Sequence, residues 1–348
     1  MDYKGFVENY IEHFSSNPNQ CVFLGIEKNL DKLPDPSLEA LEQEISDAQN
    51  LLNISKTLKE QNAVDFNQQL DLEIAHLSLE RAIHDATHTF NGLRSAEQTP
   101  CAGQDIGDGI SQLFIDESRP AEERFLFIHS RLKLVPEYLE SLKSRLKEPV
   151  SRWRNIDMNR VKELPTLFAS IQEWADKSGQ NTDSFAHARK LAESALVKYI
   201  EHLKQLPLQE NFHIGEKDCQ ETLRLRGINE SPKALHALAQ EFLKGNTLII
   251  TELRKKLAKR YGLDNNIPNK SLYDFLNNKH KLDFHANPAD EILLRYRQEI
   301  AKIETFITRD NLFPLFDEQE VRLVQTPPFL KPCIPAGAMI PPAPFKKG

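Results

Sequence analysis

The sequence predicts an all-α protein: an elongated, mostly antiparallel multi-helix array with an extended proline-rich carboxyl-terminal segment and at most one or two short strands. Three observations predict this fold class. Apolar residues recur at helical spacing over most of the 348 residues. Only 13 glycines are present, which suits a chain with few tight turns. Prolines stand at the borders of the periodic segments, where a helix begins or ends.

Residues 1–118 are expected to form an amino-terminal helical subdomain. Aromatic side chains four positions apart predict a short amphipathic helix over residues 2–15. Ser37 is predicted to cap the next helix, because its hydroxyl can accept a hydrogen bond from an amide of the first turn. A long helix should then run from about residue 64 to residue 90. Its predicted buried stripe consists of Phe66, Leu70, Ile74 and Leu77.

The polar stretch 91–111, which contains three glycines, is predicted to be a loop and the least stable part of the chain. Residues 119–324 are predicted to form a helical body. Pro120 should start its first helix, and Pro136 should kink or restart that helix, since an interior proline removes a backbone hydrogen bond. Further helices are expected at about 151–161, 163–178 and 183–205, from Ser231-Pro232 to Tyr261 with a break near Gly245, and from Asn287-Pro288 onwards.

Residues 320–324 are the one segment of the helical body that is expected to form a strand. The final segment, residues 325–348, combines seven prolines with apolar side chains such as Phe329 and Ile340. Proline favours extended backbone and lacks the amide donor, so this segment is predicted to be neither a helix nor a central strand. Its apolar residues predict that it packs against other protein. We interpret it as a connector that leads to a missing carboxyl-terminal half.

Composition excludes several classes of protein. A net charge of -7 argues against a nucleic-acid partner, because binding of phosphates requires a clustered basic surface. No run of eighteen apolar residues is present, so no membrane partner is expected. The four cysteines, at positions 21, 101, 219 and 333, form no Cys-x-x-Cys pair and are interpreted as reduced thiols. Together with the lack of a secretory pattern, they predict a cytoplasmic protein.

Several segments make the chain similar to a known family over about residues 130–345. They are Phe212-His213-Ile214-Gly215-Glu216, Arg226-Gly227-Ile228 followed by Ser231-Pro232, Thr326-Pro327-Pro328-Phe329-Leu330-Lys331-Pro332, and Ile334-Pro335-Ala336-Gly337-Ala338-Met339. In this order they resemble the bacterial domain-of-unknown-function family 885, whose members look like helical zinc metallopeptidases of the gluzincin type. The resemblance thus implies a helical fold related to peptidases.

In that family the proline-rich segment is followed by a strand and a helix with a His-Glu-x-x-His motif. Histidines four positions apart share one face of a helix and can bind one zinc ion, and the glutamate can activate the metal-bound water. This sequence contains no such motif. The resemblance therefore implies a non-catalytic amino-terminal portion that forms a helical wall of the substrate cleft. No catalytic residue is carried over, and zinc is expected only in a complete family member.

The partners implied are a peptide substrate in the complete protein, and either the missing carboxyl-terminal half or a second copy at an exposed apolar patch. One alternative is a free-standing helical binding or scaffold protein that has lost the metal half. Another is a metalloenzyme built on the long helix near residue 80. That helix carries acidic residues and histidines at steps of three and four, which places them on one stripe: Glu73, His76, Glu80, His84 and His88.

Glu80, His84 and His88 are the candidate metal ligands of this stripe, while a solvated polar helix face is the simpler interpretation. A second cluster, His280, Asp283 and His285, lies in a predicted loop. Tyr296 and Arg297 are candidates for the substrate cleft, although the helical spacing of Tyr296 favours a core position. Gly337, with its neighbours Ala336 and Ala338, is the other cleft candidate, because glycine permits close approach of a substrate backbone.

Overall fold

A computed structural model describes residues 1–60, 64–115, 119–281 and 288–315, and near the carboxyl terminus residues 321, 323, 325, 337, 339 and 343–345. These residues form thirteen helices and one two-stranded antiparallel sheet, so the predicted all-α class is confirmed. The chain divides into two compact units: Met1–Pro232 with Ala338–Gly348, and Lys233–Gly337. The boundaries expected from the sequence near residues 118 and 324 stay predictions.

The helices are numbered in chain order. The first unit contains α1 (Tyr3–Ser15), α2 (Pro18–Leu24), α3 (Leu38–Glu60), α4 (Phe66–Thr87), α5 (Ser95–Gln98), α6 (Ala102–Ile115), α7 (Ala121–Arg145), α8 (Ser151–Lys177), α9 (Asp183–Gln205) and α10 (Gly215–Arg224). The second unit is built from α11 (Pro232–Tyr261), whose first residue belongs to the first unit, α12 (Asn269–Lys279) and α13 (Pro288–Arg309). The sheet pairs β1 (Thr89–Phe90) with β2 (Leu93–Arg94).

Polar side chains start the first helices, and the sequence predicts one of these caps, Ser37. Asp2 Oδ1 accepts a hydrogen bond of 2.9 Å from the amide of Gly5 at the start of α1. Ser37 Oγ accepts one of 3.1 Å from the amide of Ala40, which confirms Ser37 as the cap of α3. These bonds satisfy amides that have no partner inside the helix, and each cap is worth about 1 kcal/mol.

Two layers of helix contacts build the core of the first unit. In one, α3 packs against α4 and α1; in the other, α6 contacts α2, α7 and α8, and α9 packs against α7 and α8. The core between α1, α3 and α4 contains Phe6, Ala48, Leu51, Leu52, Leu58, Leu72, Ala75 and Leu79. Burial of each of the phenylalanine and leucine side chains is worth about 1.5–3 kcal/mol and stabilises the array.

The predicted buried stripe of α4 is wrong. Phe66 is 79% exposed, Leu70 is 48% exposed and Ile74 is 59% exposed. The buried residues are instead Leu72, Ala75, Leu79 and Ala86. Apolar residues occur on two faces of this helix, and helical spacing identifies a face without showing which one meets α3.

The predicted loop over residues 91–111 is also wrong. The chain forms the β1–β2 hairpin, the short α5 and then α6, and the core of α6 includes Ile106, Ile110 and Leu113. Its glycines lie where neighbouring groups approach closely. A Cβ atom on Gly103 would stand 2.4 Å from the Cβ of Arg160. Packing of α6 against its neighbours thus outweighs the low helix propensity of glycine.

The helix restart offered as one alternative at Pro136, the break expected between residues 161 and 163, and the break expected near Gly245 do not occur. Pro136 lies inside the continuous α7, Pro165 lies inside α8, and α11 runs through Gly245. Buried residues flank Pro136 on the same helix, among them Leu132 and Val135. The burial of these side chains offsets the hydrogen bond that each proline removes. The strand expected over 320–324 lies mostly outside the described residues.

Candidate functional site

The polar stripe of α4 meets α10 through an ion pair. Arg224 of α10 lies 3.0 Å from Glu80 Oε2 and 2.8 Å from Glu221 Oε1. Its hydrogen bonds to these two carboxylates raise the pKa of Arg224 above its usual value. His76 Nε2 lies 3.6 Å from the other oxygen of Glu80, and burial lowers the pKa of His76. The stripe therefore attaches α10 to α4.

The two other histidines of the stripe contact each other. The rings of His84 and His88 are stacked with centroids 5.0 Å apart, and His84 Nδ1 lies 3.4 Å from Asp85 Oδ1. Among the residues that the structure describes, no group of three or more His, Cys, Asp or Glu side chains could hold a metal ion. The side chain of Glu80 is thus engaged by Arg224 and does not join His84 and His88 in such a group.

A buried carboxylate connects three helices of the first unit. Asp157 of α8 is 3% exposed. Its Oδ1 accepts a 2.7 Å hydrogen bond from the amide of Gly103, and its Oδ2 accepts a 2.8 Å bond from the hydroxyl of Tyr199. Asp157 therefore caps the amino terminus of α6 from a neighbouring helix and binds α9 on its other side. Burial raises the pKa of Asp157 despite these donors.

A second group of polar side chains surrounds the carboxylate of Asp105. Tyr138 donates a 2.6 Å hydrogen bond to Asp105 Oδ2, and the Cys101 thiol donates one of 3.2 Å to the same oxygen. Arg145 Nη2 lies 3.3 Å from Cys101 Sγ. Burial raises the pKa of the Cys101 thiol to about 12, so the thiol stays protonated at neutral pH. Because a thiolate is the reactive form, Cys101 is not an activated nucleophile.

The raised pKa of Asp157 predicts a pH effect on stability. When the pKa of an acid is higher in the folded protein than in the unfolded chain, the protein becomes less stable as the pH rises. The loss begins near the unfolded pKa, about 4, and is complete above the folded pKa. Replacement by Asn should remove this loss. We therefore subtract the free energy of unfolding of Asp157→Asn from that of the wild type and expect this difference to fall as the pH rises. Urea denaturation at several pH values measures it.

The exposed Glu163, on the same helix, provides the matched control. Glu163→Gln removes one negative charge from α8 without touching the buried carboxylate, and it should follow the pH dependence of the wild type closely. A pH-independent difference between wild type and Asp157→Asn would contradict the expected role of Asp157.

Sequence reasoning missed Asp105, Asp157 and the fully buried Arg131, and for Arg131 a signal existed. Arg131 stands between the core residues Ile128, Leu132 and Val135 on α7, where helical spacing predicts an inward side chain. A charged residue at a core position indicates a partner that only the fold can supply. Asp157 also stands at helical spacing from the core residues Val161 and Leu164 of α8, although its hydrogen-bond partners are far away in the sequence.

The residues that the sequence suggested for a substrate cleft are exposed wherever the structure describes them. Tyr296 is 54% exposed on α13, so it is not a core residue, and Arg297 beside it is exposed as well. Gly337 is exposed, and Ala336 and Ala338 lie outside the described residues. Of the second polar cluster, His280 Nε2 lies 2.9 Å from the hydroxyl of Tyr261, while residues 283 and 285 lie outside the described residues.

The second unit exposes large apolar side chains on both of its long helices. On α11 an exposed stripe with helical spacing is formed by Leu238 (63% exposed), Phe242 (72%), Ile249 (58%) and Leu253 (51%). On α13 the corresponding stripe is formed by Ile292 (40%), Tyr296 (54%), Ile303 (56%) and Phe306 (48%). Of the residues that the structure describes on these two helices, only Ala258 of α11 is buried, so their other apolar side chains are at least partly exposed to solvent.

The described helices include none with the length and apolar character needed to cross a membrane. The family model of DUF885, described as a bacterial protein of unknown function, matches residues 18–348. A solved structure from Shewanella oneidensis, described as "a putative lipoprotein of unknown function", is similar with a TM-score of 0.66 at 16% sequence identity. That likeness, which concerns the fold, covers 94% of this chain and 61% of that chain. No curated protein matches the sequence.

Proposed function

Since the chain belongs to the bacterial DUF885 family of proteins of unknown function, we propose that it is the non-catalytic amino-terminal portion of a zinc metallopeptidase. In this proposal the helices form one wall of a cleft that binds a peptide, and the zinc ligands belong to polypeptide beyond residue 348. The peptidase part of the proposal rests on the resemblance of the sequence segments around residues 212–232 and 326–339. The observation that carries the docking part is the pair of exposed apolar stripes on α11 and α13.

The apolar stripes favour a docking surface, because covering exposed apolar side chains lowers the free energy. Phe242 and Leu238 together leave most of their side chains in solvent, and Ile303 and Tyr296 do the same on α13. Each apolar Å² that a partner covers contributes about 25 cal/mol, from which the entropic cost of association is subtracted. Chain that packs on either stripe would gain this free energy.

The occupant that we propose for this surface is further chain of the same protein. The present chain spans about three-fifths of the solved structure that it resembles, since the match covers 61% of that chain. A family member of that length has additional residues that can cover the stripes. The expected second copy of this chain is the competing occupant, and the experiment below separates the two.

The direct test begins with the coding sequence after Gly348. We expect the reading frame to continue into a segment that contains His-Glu-x-x-His. This downstream segment, produced separately, should bind the 348-residue chain in sedimentation experiments. Phe242→Glu combined with Ile249→Glu should weaken binding at least tenfold, about 1.4 kcal/mol, because a charge would be placed against apolar surface. Phe66→Glu, an equally exposed Phe on α4, is the matched control and should leave binding unchanged.

Activity measurements complete the test. With one equivalent of Zn²⁺, the continuous longer chain should hydrolyse fluorogenic peptides, whereas the 348-residue chain should not. A stop codon directly after Gly348 would overturn the proposal in favour of a free-standing helical binding protein. Turnover by the 348-residue chain alone would overturn its non-catalytic role. Self-association of this chain at the α11 and α13 stripes, without binding of the downstream segment, would identify a second copy as the occupant.

A further inference from the structure

A cavity of about 200 Å³ lies in the first unit, between the start of α6 and the first turns of α8. Its apolar lining includes Pro100, Trp153 and Ile156, and its polar lining includes Gln104, Arg160 and the already hydrogen-bonded Asp157. At about 30 Å³ per water, the volume corresponds to about seven water molecules, which is the size of a small organic ligand. Neither the family match nor the docking proposal assigns a role to this cavity.

Arg160 provides positive charge at the cavity. Its guanidinium is exposed, and its Nη1 donates a hydrogen bond of 3.2 Å to Gln104 Oε1. The charge of Arg160 interacts with the carboxylate of Asp108, but among the described residues no carboxylate forms a close ion pair with Arg160. A guanidinium has five N–H donors in a planar fork, which matches the two oxygens of a carboxylate. Arg160 therefore retains donors for a negatively charged ligand.

The amino terminus of α6, which also borders the cavity, is already occupied. Asp157 accepts the hydrogen bond of the Gly103 amide at 2.7 Å, and Tyr199 donates to the second oxygen of the same carboxylate. A ligand carboxylate would compete with Asp157 at this position. The side chains of Arg160 and Gln104 are consequently the groups that can receive a carboxylate, and the terminus of the helix is not.

The apolar side chains that line the cavity favour a ligand with a flat, apolar ring. Trp153 is half-buried, and its ring is held against Phe90 with centroids 5.6 Å apart. Ile156 lies one turn from Arg160 on the same helix and is 47% exposed. An aromatic ring that contacts Trp153 would bury apolar area and gain a further contribution from ring packing. The cavity thus offers an apolar surface next to a cationic group.

We propose that this cavity binds a small monocarboxylate with a flat apolar body. The carboxylate binds to Arg160 and Gln104, and the apolar body lies against Trp153, Ile156 and Pro100. No covalent step is involved, because the protonated thiol of Cys101 at the cavity edge is not a nucleophile. The site is independent of the α11 and α13 stripes, so it can hold whether or not the docking proposal does.

Phenylacetate is a suitable probe, and Trp153 can report its binding. The chain contains two tryptophans, so Trp174→Phe leaves Trp153 as the source of the indole fluorescence. We expect saturable quenching of Trp153 by phenylacetate, and an affinity at least tenfold lower in Arg160→Gln, since charge-assisted hydrogen bonds are lost. Phenylacetamide, which has the same body without the charge, should also bind at least tenfold more weakly.

Arg154→Gln on the same helix is the matched control. Arg154 hydrogen-bonds Asn155 and does not line the cavity, so its replacement should leave the affinity for phenylacetate unchanged. Equilibrium dialysis of labelled phenylacetate with the wild-type chain provides a second measurement that does not depend on Trp174→Phe. Three results would each overturn the proposal: no saturable binding in dialysis, equal affinity in Arg160→Gln with an unchanged melting temperature, or equal affinity for phenylacetamide.

Discussion

Replacement of Arg131 by Met is expected to lower the free energy of unfolding by about 3–5 kcal/mol. Arg131 is completely buried on α7 and holds the chain between α2 and α3 in place. Its Nε donates to the carbonyl of Leu30 at 2.7 Å, its Nη1 to Asn19 Oδ1 at 2.7 Å, and its Nη2 to the carbonyl of Pro18 at 3.1 Å. Met has similar length but no donor, so these three acceptors would lose their shared partner.

The charge on Arg131 persists at neutral pH. Burial lowers the pKa of its guanidinium to about 10, which is still well above 7. The protein therefore accommodates a buried cation by surrounding it with oxygen acceptors, and removal of that cation leaves the acceptors desolvated without a donor. Arg131→Lys should be destabilised by an intermediate amount, since an ammonium on a flexible stem cannot reproduce the planar fork.

Urea denaturation followed by circular dichroism measures the effect. Lys133→Met, two positions away on the exposed side of α7, is the matched control and should change stability by less than about 0.5 kcal/mol. Equal stabilities of Arg131→Met and the wild type would show that the three hydrogen bonds contribute nothing net.

Replacement of Gly103 by Ala is expected to cost about 1–3 kcal/mol, even though Ala favours helices over Gly by about 1 kcal/mol. The new Cβ would stand 2.4 Å from the Cβ of Arg160 and 3.1 Å from the backbone nitrogen of Val161. Neither atom is the end of a flexible side chain, so α6 and α8 would have to move apart. This movement would also stretch the hydrogen bond from Gly103 to Asp157.

Gly107→Ala, one turn later on α6, should have the opposite effect. There the new Cβ would come within 3.3 Å of Leu164 Cδ2, which is the mobile end of a side chain. Leu164 can adjust, so the gain in helix propensity of up to about 1 kcal/mol should remain. Thermal melts of the two variants under one set of conditions test the pair. A Gly103→Ala variant as stable as Gly107→Ala would contradict the close contact between α6 and α8.

Helical periodicity identified most of the helices, and its errors have one common cause. On α4 both Phe66 and Leu72 belong to apolar patterns with helical spacing, and only contact with α3 determines that Leu72 is buried and Phe66 exposed. On α6 the glycines argued for a loop, because local propensity ignores the partner helix. At Pro136 the same local rule predicted a kink or a restart, and α7 continues through this residue without a restart.

The polar groups of the first unit were less accessible to sequence reasoning than its helices. The stripe around Glu80 was visible because helical spacing places its members together, yet the partner of Glu80 is Arg224, 144 positions away. Asp157 and Tyr199 are separated by 42 positions, and their hydrogen bond cannot be read from either local segment. The cavity beside Arg160 likewise depends on how α6 and α8 approach each other.

The sequence by itself determined the all-α class, the cap of α3 at Ser37 and the similarity to a family, because these depend on local spacing and on the order of short segments. Only the tertiary structure decided which face of α4 is buried, why α6 contains glycines, and which charges meet in the interior. The physical reason is that burial and hydrogen bonding of a side chain depend on neighbours brought together by folding, whereas periodicity describes one helix at a time.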